Sequence, residues 1–265
     1  MRSILLRTAS QSMELDNIRQ WFDFGIGEQV LSVEQAILDQ LFSGMFGYHL
    51  LQISVQNSPL YNASPIQHKV TMGIREADGS PFVGNATQLP FEDDSIDVVL
   101  LHHMLDFYQD RQQILREISR VSRPMGHVVI VGFNPVSFWG AWKLVAALSG
   151  HAPWNGSFIR AGRLMDWLNV LNFSIDRAHY CTHGLPVDKW LLKGKMPDYT
   201  RGVSRKTNWP FGAVYVIVAR KQVGGMTPLR PRWEPKKALG KLAVVRPGGR
   251  GLTTRNTRGS IDNNG

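Results

Sequence analysis

The chain has one cysteine, Cys181, among its 265 residues. An internal disulfide is therefore excluded, and the count fits a reducing compartment. Long apolar runs are lacking as well. The most apolar segment, residues 138–148, is broken by Gly140 and Lys143 and falls short of the ~20 residues that span a bilayer. The first residues, MRSILLRTASQS, contain only a three-residue apolar run, too short for the core of a secretory signal. No internal repeat is present, and no glycine lies between Tyr48 and Val70. These absences lead us to expect a cytoplasmic protein with no membrane partner.

A hydrophobic content of 43% is ordinary for a globular chain with a sizeable core. The charge is unevenly spread. Residues 221–265 carry ten Lys/Arg against Glu234 and Asp262, so +8 of the net +9 sits there. Rich in Gly, Pro, Arg and Asn, this tail is expected to be disordered. It reads either as an electrostatic arm for nucleic acid or as a solvated tail with no dedicated partner. The expected organisation is a helical lead-in at 1–47, one α/β domain at 48–221 and the basic tail at 222–265. The sequence does not determine the oligomeric state.

Residues 96–101 and 127–133 are short, continuous and β-branched, as strands buried on both faces are. Between them, Asp110 precedes Gln113 by three, a capping-box spacing. Ile114, Leu115, Ile118 and Val121 then fall on one helical stripe, with Arg111, Arg116, Glu117, Arg120 and Arg123 elsewhere. Pro124 stops this helix and Gly126 permits the turn into the next strand. The result is a βαβ unit, whose ligand site lies at the carboxyl ends of its strands. Asn85, His102, His103, Asp106 and Asn134 are the polar residues at that end. Strand side chains alternate, so of the adjacent histidines one is expected to face the cleft and the other to pack.

Further helices are predicted over 31–45, 137–148 and 162–171, and strands over 48–55, 69–74, 173–181 and 213–220. The segment 182–212 is a long loop. Asp78-Gly79 is a hairpin signal, and few residues separate the second strand from the third, so these two are expected to pair antiparallel. His179, Cys181 and His183 share a strand face at i, i+2 and i+4. No fourth ligand accompanies them, and no metal is assigned.

The string Asn85-Ala86-Thr87-Gln88-Leu89-Pro90-Phe91, followed by Asp94-Ser95-Ile96-Asp97-Val98-Val99, resembles the type 11 group of class I S-adenosylmethionine (SAM) methyltransferases. Residues 115–128 are similar to that family's helix and the turn into its fifth strand, and 212–221 to its last, antiparallel strand. The resemblance covers roughly residues 48–221. It implies a Rossmann-like sheet with helices on both faces, SAM as cofactor and methyl transfer to an unidentified, possible small-molecule acceptor. Carried over position by position, it implies Ile53, Ser54, Glu76, Asn85, Ala86, Leu89 and His102 at the cofactor. His102, His103 or Asp106 is the candidate base, and Asn134 and Trp139 would line the acceptor pocket.

The front half departs from the family. Gln52-Ile53-Ser54-Val55-Gln56-Asn57-Ser58-Pro59 stands where the glycine-rich loop belongs, and glycine is what lets a backbone approach the cofactor closely. Asn85 replaces the usual Asp but retains an acceptor oxygen. The family's first helix is expected to be short or absent and its second missing. Two other readings therefore stay open. One is a catalytically inactive, methyltransferase-like binding protein using its basic tail for nucleic acid. The other is an enzyme of another class on the same fold.

Overall fold

A computed structural model describes residues 2–73, 82–146, 152–182 and 210–223, with backbone alone for 2–12 and Val145. All of these fall in one compact unit, Met1–Gly225. The chain begins with two helices, α1 (Arg2–Asp23) and α2 (Ile26–Phe42). Strands β1 (His49–Ser54), β2 (His68–Gly73) and β3 (Phe82–Val83) follow. Then come β4 (Ile96–His102), the short α3 (Met104–Phe107), α4 (Arg111–Val121) and β5 (Ser122–Phe133). Helices α5 (Phe138–Ala146) and α6 (Ala161–Val170) precede β6 (Phe173–Cys181) and β7 (Val214–Lys221). No helix among the described residues is long and apolar enough to cross a membrane.

The seven strands form one sheet in the order β3-β2-β1-β4-β5-β7-β6. Pairing is parallel from β3 through β5, and β7 runs antiparallel between β5 and β6. The order reverses between β1 and β4, so their carboxyl ends frame the crevice in which such sheets bind ligands. β4 and the second half of β5 are buried along nearly their whole length, which is why they read as nearly continuous Val/Ile/Leu runs.

Two expectations fail here. β2 and β3 pair in parallel, Met72 opposite Phe82 and Gly73 opposite Val83. β3 has only two residues and lies beside the very end of β2. The chain therefore has to return by only a residue or two, and the usual dozen-residue crossover is not required. The Asp78-Gly79 signal lies outside the described residues. The boundary at 121–126 also differs from the expected one. Helix α4 ends at Val121 and Ser122 is already extended, pairing with Ile96, so Pro124 lies within β5. Asp110 is the N-cap residue but makes no side-chain cap bond. The left-handed residue is Met125, with φ 67°. Gly126 is needed for close approach, since a Cβ there would meet Asp97 O at 2.9 Å and Arg123 O at 2.8 Å.

The stripe Ile114, Leu115, Ile118 and Val121 is buried as expected. Between Ser54 and His68 no helix forms, as the sequence suggested. The N-terminal helices hold more than the sequence indicated. Helix α1 buries Leu15, Ile18 and Phe22. Helix α2 begins five residues before its expected start and buries Val30, Glu34, Leu38, Leu41 and Phe42, with Val33 and Ile37 only half-buried. A carboxylate thus occupies the middle of an otherwise apolar face. Gly25, at φ 63°, makes the turn between α1 and α2, a conformation glycine adopts without strain.

Candidate functional site

At the carboxyl end of β4 the chain takes a left-handed step. His103 has φ 54° and ψ 9° and precedes α3. That step breaks strand alternation, so His102 and His103 converge instead of pointing to opposite sides. Both rings meet the Glu34 carboxylate of α2. His102 Nε2 lies 3.0 Å from Oε2 and His103 Nε2 2.9 Å from Oε1. The other nitrogens are also engaged. His102 Nδ1 is 2.9 Å from Ser54 Oγ at the end of β1, and His103 Nδ1 is 2.9 Å from Asp106 Oδ2. Phe133 N–H at the end of β5 donates to the same Asp106 oxygen at 3.0 Å, and Gln56 N–H donates to Ser54 Oγ at 2.9 Å. Glu34, His102 and His103 have no exposed surface, and Asp106 has 1%.

One proton arrangement satisfies every contact. His103 faces a carboxylate through each nitrogen, so it donates from both and is an imidazolium. His102 donates to Glu34 through Nε2 and accepts the Ser54 hydroxyl at Nδ1, so it is neutral. The electrostatics agree. Burial pushes the His103 pKa down, but the Glu34 charge and the bonds to Asp106 and Glu34 outweigh it and hold it up at about 9. Burial lowers that of His102, and the Glu34 bond does not fully compensate. Burial alone would raise the Glu34 carboxyl. The His103 charge and both histidine bonds instead hold it at about 2.

A pH dependence follows from these values. His103 titrates higher in the folded chain, about 9, than its ordinary 6.5. Its contribution to stability is full below 6.5 and is lost as pH rises through about 9. The Glu34 contribution is full above 4.5 and is lost as pH falls through about 2. Urea unfolding in EDTA-containing buffer should show stability declining between 6.5 and about 9. A flat profile across that window would contradict the imidazolium assignment.

The remaining predicted residues fall as follows. Ile53, Ala86 and Leu89 are buried within the core, and Asn85 is exposed. Asn85 Oδ1 accepts Thr87 N–H at 2.9 Å and Thr87 Oγ–H at 2.8 Å, closing an Asx turn. Glu76 lies outside the described residues, as do His183, most of the 182–212 loop and the basic tail beyond residue 223. Asn134 Nδ2 donates to Pro210 O at 2.8 Å and Gly212 O at 2.9 Å, tying the end of β5 to the approach to β7. Trp139 is buried and stacks on Phe133, with Trp21 edge-on and Trp154 tilted against it.

The loop after β1 is braced by Gln52. Its amide oxygen accepts Leu60 N–H at 2.8 Å, and its amide nitrogen donates to Ser58 O at 2.9 Å. Arg19 of α1 donates to Val55 O at 2.7 Å. Towards the amino end of β4, Arg120 of α4 holds the Leu89–Phe91 segment. It donates to Leu89 O and Phe91 O, each at 2.8 Å, while Glu117 accepts Leu89 N–H at 2.9 Å. Arg120→Ala is expected to lower stability by about 1–2 kcal/mol, discounted for the part of the side chain in water. Chemical denaturation measures it, and an unchanged midpoint would mean that Arg120 does not hold the segment.

Sequence reasoning missed three contributors. Glu34 reads as one solvated carboxylate among several on a helix. Phe22, on α1, lies with its ring 5.4 Å from that of His102 and 5.3 Å from that of His103. Tyr215, on β7, lies opposite Gly132, where a Cβ would meet its hydroxyl at 2.6 Å. Two of the buried polar atoms here take no hydrogen bond among the described residues: Asp106 Oδ1 and the Tyr215 hydroxyl oxygen. Burial, and then the Asp106 charge, push the Tyr215 pKa well up, so the two groups are near each other.

A family model described as "Methyltransferase domain" matches residues 46–130. The uncharacterized protein YafS of Escherichia coli K12 is 34% identical over 222 residues, covering 82% of this chain and 85% of that one. Norajmaline N-methyltransferase of Rauvolfia serpentina is 35% identical over 75 residues, 26% of each chain. Among solved structures, a SAM-dependent methyltransferase of Thermotoga maritima, described as a possible histamine N-methyltransferase, superposes with a TM-score of 0.56 at 18% identity. It covers 84% of this chain and 100% of that one. That likeness is one of fold.

Proposed function

Because this chain belongs to the type 11 family of class I methyltransferases, whose cofactor is SAM, we propose that it transfers a methyl group from SAM to a small acceptor presenting an N–H or O–H group. The observation that carries this reading is the unspent Asp106 Oδ1, a buried carboxylate oxygen at the carboxyl end of β4 with no partner among the described residues. Such an atom costs stability unless a ligand uses it. The donor set fits SAM. Arg111 and Lys143 also lie close enough to Asp106 to feel its charge, so the fit rests on the free acceptor oxygen and not on net charge.

When bound, SAM supplies a methyl group activated by its positive sulfur. The rest falls to the chain. The backbone at Ile53 and Ser54, the side chain of Asn85 and the Ala86–Leu89 segment are proposed to hold the cofactor, with His102 behind. Asp106 is proposed to accept the hydrogen bond of the incoming nucleophile and to take its proton where one is released. His102 and His103 have both nitrogens occupied, which favours a positioning role. His103 fixes Asp106, while Glu34 and Ser54 fix the rings. Tyr215 offers the acceptor a second polar contact, and Trp139 with Asn134 makes the wall beside it. Holding nucleophile and methyl group in line is the main contribution such a site makes.

Isothermal titration of the full chain with SAM and with its demethylated product tests the reading. Saturable one-to-one binding of both is expected. No heat at millimolar ligand would sink it.

A further inference from the structure

We propose that Glu34, His102 and His103 form a binding site for a divalent transition ion of the zinc class. Each contributes a ligand atom, and these atoms lie within 4.8 Å of one another, all buried. Two imidazole nitrogens and one carboxylate oxygen are the donor set of three-ligand zinc sites, which leave a further position open. Zinc bonds of ~2.0–2.2 Å bridge ligand atoms ~3–4.2 Å apart, so shifts of a few tenths of an ångström close the set.

The outer contacts are of the kind that supports a bound metal. In both histidines it is Nε2 that points to Glu34, and in both it is Nδ1 that is held from behind, by Ser54 Oγ and by Asp106 Oδ2. Asp106 is itself held by Phe133 N–H. When the ion binds, His103 releases its Nε2 proton and the His102 proton moves from Nε2 to Nδ1. Asp106 Oδ2 and Ser54 Oγ then each accept from the far nitrogen, the usual support around a metal. The ligands come from two elements far apart in sequence, α2 and the end of β4, so the ion would clamp the N-terminal helices to the sheet. This inference does not depend on the methyltransferase reading.

The test uses the full chain without a polyhistidine tag, produced in zinc-supplemented medium, and also refolded with Zn²⁺ so that access to a buried site is not limiting. Elemental analysis is expected to find one zinc per chain. Co²⁺ substitution should give visible absorption bands of a low-coordinate N/O site. Glu34→Gln and His102→Gln should each weaken the ion by about 100-fold, while His49→Gln leaves it bound. In the unsubstituted chain, EDTA should lower the unfolding temperature and Zn²⁺ restore it. Zinc below about a tenth of an equivalent after refolding, with no thermal shift, would overturn the proposal. So would binding that survives both ligand substitutions and is lost in His49→Gln, since His49 and His68 form an exposed ring pair 5.3 Å apart. SAM titration in the same samples reports separately on the proposed function.

Discussion

Replacing Glu34 by alanine is expected to lower the unfolding free energy by about 3–5 kcal/mol. The loss has two parts. The His103 imidazolium keeps Asp106 but loses one of its two counter-charges in a place with no water, and the His102 Nε2–H is left without an acceptor. Removing one member of a buried charged set costs far more than the set contributes as a whole, because desolvation has already been incurred by those that remain. Ser54→Ala makes an instructive contrast. It removes a neutral hydroxyl from His102 and should cost about 1–3 kcal/mol. Urea midpoints for both variants at neutral pH measure the difference. A Glu34→Ala loss below about 1 kcal/mol, within the range of ordinary substitutions, would mean that the histidines are not organised by this carboxylate.

Asp106→Asn is expected to weaken SAM binding by roughly ten- to a hundredfold, about 1.5–3 kcal/mol, and to affect the demethylated product much less. The two ligands differ by one positive charge. The asparagine oxygen can keep the contacts with His103 Nδ1 and Phe133 N–H, which both converge on Oδ2. Its amide nitrogen then takes the place of Oδ1, the oxygen without a partner. The fold should therefore survive while the ligand-facing atom changes from acceptor to donor. Comparing titrations of the two ligands separates a lost charge from a lost pocket. Equal weakening for both would argue that Asp106 acts only through the fold.

The sheet was largely legible because it is written in local patterns. Val98–Leu101 and Val128–Val131 are fully buried, or nearly so, and buried parallel strands have to be continuously apolar. Helix α4 declared itself by its stripe. That His102, His103 and Asp106 lie at the carboxyl end of β4 was also legible, since their order along the chain places them just after the strand. How they meet was not legible. The left-handed His103 carries no warning, because histidine at positive φ is uncommon and nothing nearby signals it. Glu34 contacts residues 68 and 69 positions away, and no helical period reports a contact of that range. The parallel β2–β3 pair was missed because crossover length assumes full-length strands, and β3 has two residues.

The long reach from α2 to β4 also has a meaning for synthesis. α1 and α2 are made first, but the histidine partners of Glu34 and Phe22 are missing until His103 has left the ribosome. At ~5–20 residues per second, the roughly seventy intervening residues take some 3–14 seconds. Through that interval the apolar row of Leu15, Ile18, Phe22, Val30 and Leu38 lacks the sheet that covers it. The nascent chain therefore passes through a stage at which its leading helices are a target for chaperones, and docking of the histidines ends it.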